Sequence, residues 1–276
     1  MTIIRYFHEL IDLAALVRNL WRHRELIRTM TWRDFNARYR ASFGGLLWSV
    51  FRPLVMMIIY TIVFSLFLKV RFTTDASPFT FSVYLLCGLL PWNALSEGLE
   101  AATGVIRGNV NLVKRVVFPL EILPINLALT ATIQQLIGFV LLVPLAWLVS
   151  GQVFWTPALA LAILVFQLWF VIGLNWMVAS LAVYLPDLAQ MVSLVLLVWM
   201  FLTPIFYPLD VVPADMRGLF LLNPMARLVQ HYRDVFLGGI VPNLIDLSLT
   251  GVFCLAVFAL GYFWFMHTQK GFADVL

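Results

Sequence analysis

Six apolar runs, near residues 45–68, 79–100, 122–149, 158–185, 188–208 and 247–267, are each long enough to cross a bilayer as a helix, which takes about 20 apolar residues. That repeated pattern removes most soluble architectures at once. Composition agrees: 62% of the 276 residues are hydrophobic and 12% are charged, about half the charged share of an ordinary soluble domain. With a mean hydropathy of +0.94, the chain has too little charge to cover a water-facing surface. The expectation is an all-α integral membrane protein with six transmembrane helices.

Basic residues set the orientation. With the amino terminus inside, the arginines of residues 1–44, then Arg107, Lys114 and Arg115, and finally Lys270 are cytoplasmic. Outside lie Lys69, Arg71, Arg217, Arg227 and Arg233. The excess predicts that both termini are cytoplasmic. No cleavable signal is expected, because apolar and charged residues alternate at the start. Cys87 and Cys254 fall within apolar runs, so a disulfide framework is not expected either.

Residues 1–44 form the first expected region, cytoplasmic and amphipathic. Leu10, Leu13/Ala14, Val17 and Leu20/Trp21 recur at helical spacing, with Arg18, Arg22 and Glu25 elsewhere on the wheel. Such a helix lies in the interface with its basic face towards headgroups. A second pattern starts at Thr31, an expected N-cap with Asp34 three residues on, and places Trp32, Phe35 and Tyr39 on one side. Arg33, Arg38 and Arg40 are either a topological anchor or ligands for a substrate phosphate, which suits guanidinium geometry. Arg52, about 12 Å along a helix from Gly44, is costly at that depth without a partner. It either pairs with Glu97 or Glu100 or offers a further phosphate site.

Two connections stand out. Residues 107–121 combine the basic pair Lys114-Arg115 with Leu112, Val113, Val116, Val117 and Phe118. A short helix with such a mixed surface suits docking into a groove of another protein; the alternative, a plain basic loop, would not require those five apolar residues together. Residues 201–239 are the second. Pro204, Pro208 and Pro213 stop the preceding helix, and two short amphipathic helices follow. One ends near Asn223-Pro224; the other runs from Pro224, with Leu228, His231/Tyr232 and Val235 on one face, to Gly238-Gly239. They are either parts of a structured surface loop, the plainer reading of the pattern, or elements lying at or dipping into the membrane surface.

Reactive chemistry is not legible. There is no P-loop, so ATP binding in this chain is not expected. His8, His23, His231 and His267 show no metal-ligand spacing, and no Ser/His/Asp arrangement can be read. Asp210, Asp215 and Asp234 with His231 are the one faint candidate for a membrane transferase acting on lipid-linked glycans. The amides Gln134, Gln135 and Asn175 are expected to bond neighbouring helices, the alternative being contact with a passing polar substrate. Aromatic residues make up 15% of the chain; beyond an interfacial belt, Phe51, Tyr60, Phe64, Trp199, Phe201 and Phe206 lie deeper. They either pack against lipid or stack on apolar sugar faces.

Three stretches carry a resemblance. They are Gly45-Leu46-Leu47-Trp48 with Arg52-Pro53-Leu54, the 107–121 loop, and Pro204-Ile205-Phe206-Tyr207-Pro208 with Val212-Pro213, Asn223-Pro224, Arg233 and Gly238. Together they resemble ABC-2-type transporter permeases, in particular the exporters of O-antigen, capsule and teichoic acid polysaccharides. One departure is Pro186-Asp187, where many relatives carry Arg-Asp. The resemblance implies a 45–276 transmembrane domain and a bacterial cytoplasmic (inner) membrane protein exporting a polyprenyl-diphosphate-linked glycan. It implies an ATPase-coupling helix around Asn111, Leu112, Val113, Lys114, Arg115, Val116 and Phe118. It also implies outer gate helices over about 209–239, with Tyr207, Pro208, Pro213, Asn223, Pro224 and Arg233. The family's assembly is a homodimer with two copies of an ATP-binding subunit, which holds ATP and Mg. This chain itself would carry no cofactor and no metal, act as a permease rather than an enzyme, and bind membrane lipids but no nucleic acid. A smaller lipid or a drug is the alternative cargo.

Overall fold

The computed structural model describes residues 13–40, 45, 47–67, 78–114, 118–213 and 215–276, and they form an all-helical bundle. Two helices lead: α1 (Leu13–Arg22) and α2 (Arg24–Arg40). The long elements are α4 (Pro78–Val105), α6 (Ile122–Ser150), α7 (Ala160–Tyr184) and α11 (Leu244–Thr268). All four are long and apolar enough to cross a membrane, so the chain is a multi-pass membrane protein. Two shorter apolar helices join them: α3 (Leu47–Tyr60), which continues as a π-helical stretch to Phe67, and α8 (Leu188–Leu202). A short α5 (Val110–Val113), α9 (Arg217–Leu222), α10 (Pro224–Phe236) and a final turn α12 (Phe272–Val275) complete the described chain.

α4 is the hub, packing against α3, α6, α7, α8 and α10. Its apolar residues are not striped along one side: Val83, Leu85, Cys87, Trp92, Leu95 and Leu99 are all buried, as expected of a helix enclosed by others. α7 and α11 form the most extensive helix pair. Glycines allow it. A Cβ on Gly261 would overlap the Gly173 carbonyl, and one on Gly173 would meet the Val257 carbonyl. Small residues are how helices in lipid bring their backbones together, where no hydrophobic drive exists between them.

Helix ends follow local chemistry. α6 stops at Gly151, whose left-handed φ of 67° lets its N–H reach the Trp147 carbonyl at 3.0 Å. α7 stops because Leu185, extended ahead of Pro186, cannot continue it. The fifth apolar run, expected over 188–208, is helical only to Leu202. Pro204 lacks an N–H and holds Thr203 extended (φ −101°, ψ 128°). Beyond it the chain folds back, with Ile205 fully buried. A further correction concerns Thr31. It is not an N-cap but sits in the middle of α2, where its buried hydroxyl donates to Asn126 Oδ1 at 2.5 Å.

Replacing Gly261 by Ala is expected to push α7 and α11 apart. Overpacking of this kind costs about 1–3 kcal/mol, read as a clear drop in the thermal midpoint of the purified protein. Ala259→Gly, on the same helix, serves as the comparison and should fall by less.

Candidate functional site

α2 straps one end of the bundle. Asn126, near the start of α6, accepts from Thr31 and donates to Asp34 Oδ2 at 2.5 Å. Farther along α2, Arg38 makes an ion pair with Glu97 of α4. Asn19 of α1 donates to Glu121 Oε1 at 2.7 Å, and the Glu121 carbonyl takes the indole N–H of fully buried Trp176 at 2.9 Å. At this end too, Arg107 donates to the Val183 carbonyl at 3.0 Å.

From the Arg38–Glu97 pair a groove of about 500 Å³ runs between α3, α4 and α6. Asn93, Ser96, Glu97 and Glu100 line it from α4; their spacing places them on one helix face. Gln134 and Gln135 line it from α6, and Pro53, Met56 and Tyr60 from α3. Gln134 donates to the Ser49 carbonyl at 3.0 Å, tying α6 to α3. Gln135 continues inward. It exchanges hydrogen bonds with Gln167 at 2.9 and 2.8 Å, while Gln167 accepts the Tyr232 hydroxyl at 2.7 Å and donates to the Pro91 carbonyl at 3.1 Å. One node therefore joins α4, α6, α7 and α10. Carboxylates and amides on one wall, with a tyrosine and a thioether on the other, can bond hydroxyl groups and hold apolar faces without reacting with either.

The far end is closed by the folded-back segment. Tyr84 donates to the Tyr207 carbonyl at 2.9 Å, and Tyr207 to the Phe201 carbonyl at 2.6 Å. Asn223 caps α10 at Met225 N (3.1 Å), accepts from Trp199 Nε1 (3.0 Å) and donates to Thr203 Oγ1 (3.0 Å). Pro224 holds the first position of α10, where its missing N–H has no helical partner to lose. Pro213 accepts Met216 N at 2.9 Å, and Pro208 precedes a single 3₁₀ turn. Buried Arg233 lies 3.5 Å over the Tyr84 ring and donates to the Ile205 carbonyl at 2.9 Å. Burial lowers its pKa, and burial raises that of Asp234. His231 is also lowered, by burial first, with Asp246 and Asp234 opposing. Arg227 and His231 both reach Asp246, at 3.1 and 3.4 Å, linking α10 to α11.

Other expected residues scatter. Arg33 is exposed and pairs with its neighbour Asp34 at 3.0 Å. Arg40 and Arg52 lie on α2 and α3, but their side chains, like that of Phe64, lie outside those described. Phe51 is exposed against Trp48, and Phe201 stacks at a tilt on Phe206. Trp199 packs edge-on against Trp92 and Phe170, so of the deep aromatics only Tyr60 lines the groove among the described residues. In the 107–121 loop, Asn111 and Lys114 are exposed, whereas Leu112, Val113 and Phe118 pack partly buried onto the core. Arg115 and Val116 lie outside the described residues. The sequence reading missed Gln167 and Tyr84; Gln167, an amide eight residues before Asn175 in the same apolar run, is the signal that could have marked the node.

Buried amides inside a multi-pass bundle, with a polar groove along one side, suit a membrane transport protein. Residues 25–237 match the family described as ABC-2 type transporter, and the chain belongs to that family. It is 32% identical over 84% of its length to the O-antigen export system permease protein RfbA of Myxococcus xanthus, covering 87% of that protein. It is 26% identical to the protein of the same name from Klebsiella pneumoniae, over 91% of this chain and 95% of that one. With the polysialic acid transport protein KpsM of Escherichia coli it shares 25% identity, over 83% and 88% of the two chains.

Two outcomes follow for this geometry. A double-mutant cycle of Arg38→Ala and Glu97→Ala, scored by thermal unfolding, should give a coupling of about 0.5–1 kcal/mol for this partly exposed pair. Stability should also fall as pH drops from about 6.5, because the unfolded chain then takes a proton that buried His231 resists. His231→Gln should flatten the midpoint–pH curve between 7.5 and 5.5.

Proposed function

We propose that this chain exports a polyprenyl-diphosphate-linked polysaccharide across a bacterial inner membrane, from the cytoplasmic to the outer face. One observation carries the reading: the face Asn93–Ser96–Glu97–Glu100, opposite Gln134 and Tyr60, offers hydroxyl-bonding groups along a groove between apolar helices. The names of the relatives, O-antigen export and polysialic acid transport, point to the same cargo. A sugar chain carries one hydroxyl after another, so a line of amides and carboxylates can release one as it takes the next.

In this reading α3 and α8 complete six spans and residues 45–276 form one transmembrane domain. Residues 1–44 lie on the cytoplasmic face, and both termini are cytoplasmic, in keeping with the basic residues there. Arg33, Arg38, Arg40 and Arg52 supply cationic groups for the lipid diphosphate at the inner face, Arg38 releasing Glu97 as it does so. The exposed apolar faces of α3 and α8, which include Phe51, Ile58, Leu194 and Phe201, meet their counterparts in a second copy. Two ATP-binding subunits, holding ATP and Mg, dock at 107–121 through exposed Asn111 and Lys114 and tilt the spans when they close. The 209–239 helices gate the exit, with Tyr207, Pro208, Pro213, Asn223, Pro224 and Arg233 holding them.

Two variants test it. Glu97→Gln, which keeps shape and removes charge, should lower surface polysaccharide while lipid-linked glycan accumulates inside; unchanged export by a normally expressed protein would remove the groove from the path. Lys114→Glu should reduce co-purified ATPase roughly tenfold, the order expected for reversing one contact charge.

A further inference from the structure

A second, larger cavity lies away from the polar groove. About 930 Å³ of space opens between α2, α6 and α7, near the upper limit of pockets that hold small molecules. Its floor is mostly apolar: Leu129, Ile133 and Leu136 line it from α6 beside Thr132, with Leu164 and Leu168 from α7. The apolar α6 residues stand at i, i+4 and i+7, a single stripe running about 10 Å along the helix. Its rim is α2, which contributes Arg24, Arg28, Thr29 and Glu25.

That rim is basic. Arg24 touches Glu25 at 3.8 Å, with both side chains more than half exposed, a contact of little energy. Arg24 also lies 4.9 Å over the exposed Trp21 ring. Among the described residues Arg28 has no carboxylate within ion-pair distance. Trp32, on the same rim, is 58% exposed. Tryptophan and arginine together mark the level at which bilayer headgroups meet hydrocarbon, and they line the same cavity as the apolar stripe.

We propose that this cavity holds one anionic phospholipid of the inner leaflet. Its phosphate bonds Arg28 and Arg24, with the Thr29 hydroxyl alongside, and an acyl chain follows Leu129, Ile133 and Leu136 beneath α2. The assignment to the inner leaflet rests on the orientation proposed above; the cargo does not enter it. Left without hydrocarbon, the stripe would forgo its dispersion contacts on one side. A zwitterionic headgroup would bring its own cation against two arginines. The lipid would thus brace the helix whose other end, fourteen residues on and about 21 Å away, carries the Arg38–Glu97 pair.

The test uses the purified full-length chain, delipidated in detergent and titrated with dioleoyl phosphatidylglycerol or dioleoyl phosphatidylcholine, with the thermal midpoint as readout. Phosphatidylglycerol should raise the midpoint by roughly 5 °C at saturation, and phosphatidylcholine by clearly less. The double variant Arg24→Gln/Arg28→Gln should need at least roughly tenfold more phosphatidylglycerol for the same shift, while Arg24→Lys/Arg28→Lys keeps most of the response. Ile133→Trp, which fills the floor, should abolish the shift without touching a charge. Equal shifts with both lipids, or a phosphatidylglycerol response that the Gln and Trp variants leave unchanged, would overturn the proposal. So would displacement of phosphatidylglycerol by undecaprenyl diphosphate at equal or lower concentration, which would make the cavity a cargo site. None of these readouts depends on export, so the groove and the lipid site can fail separately.

Discussion

In hydrocarbon, a polar side chain inside the bundle must find its partner within the protein, and the architecture is arranged around one such set. Gln167 joins Gln135, Tyr232 and the Pro91 carbonyl, and so ties its own helix to three others. Interhelical hydrogen bonds of this kind add only about 1 kcal/mol each, but a partner left alone in the interior costs more than the bond gives. The node therefore acts mainly on register: a shift of α7 by one residue would strand Gln135, Tyr232 and the Pro91 carbonyl. α10, which is neither long nor apolar enough to cross a membrane, is held in the bundle by the same requirement. Arg233 adds to it by tying the Ile205 carbonyl and the Tyr84 face to one guanidinium.

The opposite end is ordered differently. There α2 lies across the bundle: Thr31 and Asn126 are buried, but Asp34 and the Arg38–Glu97 pair are partly exposed. Contacts that water can replace are weaker and easier to exchange than those in the node. One end of the molecule is thus suited to hold its shape and the other to change partners, the division a permease needs if its driving force arrives from one side.

Legibility in the sequence divides along the same line. The short helices after Pro213 fall where Asn223, Pro224 and Gly238-Gly239 place them, because caps and prolines act within a few residues. The amides Gln134, Gln135 and Asn175 do bond neighbouring helices, since lipid leaves them no other partner. What depends on distant contacts was not legible. Thr31 reads as an N-cap locally, yet its partner is 95 residues away. Glu97 lies within helical reach of several arginines, and only the path of α2 brings Arg38 to it. Leu112, Val113 and Phe118 look exposed in a short basic loop but pack onto the core, because periodicity cannot say what lies underneath a four-residue helix.

α8 has a consequence of its own. Fifteen residues rise about 22 Å, against a hydrocarbon thickness of about 30 Å, while its neighbours α6 and α7 are much longer. In the proposed six-span arrangement a helix that short meets the bilayer with a hydrophobic mismatch, and the lipid beside it thins to match. The membrane would be thinnest beside Thr203 and Pro204, where the chain folds back. At such a point a polar group has the least hydrocarbon left to cross.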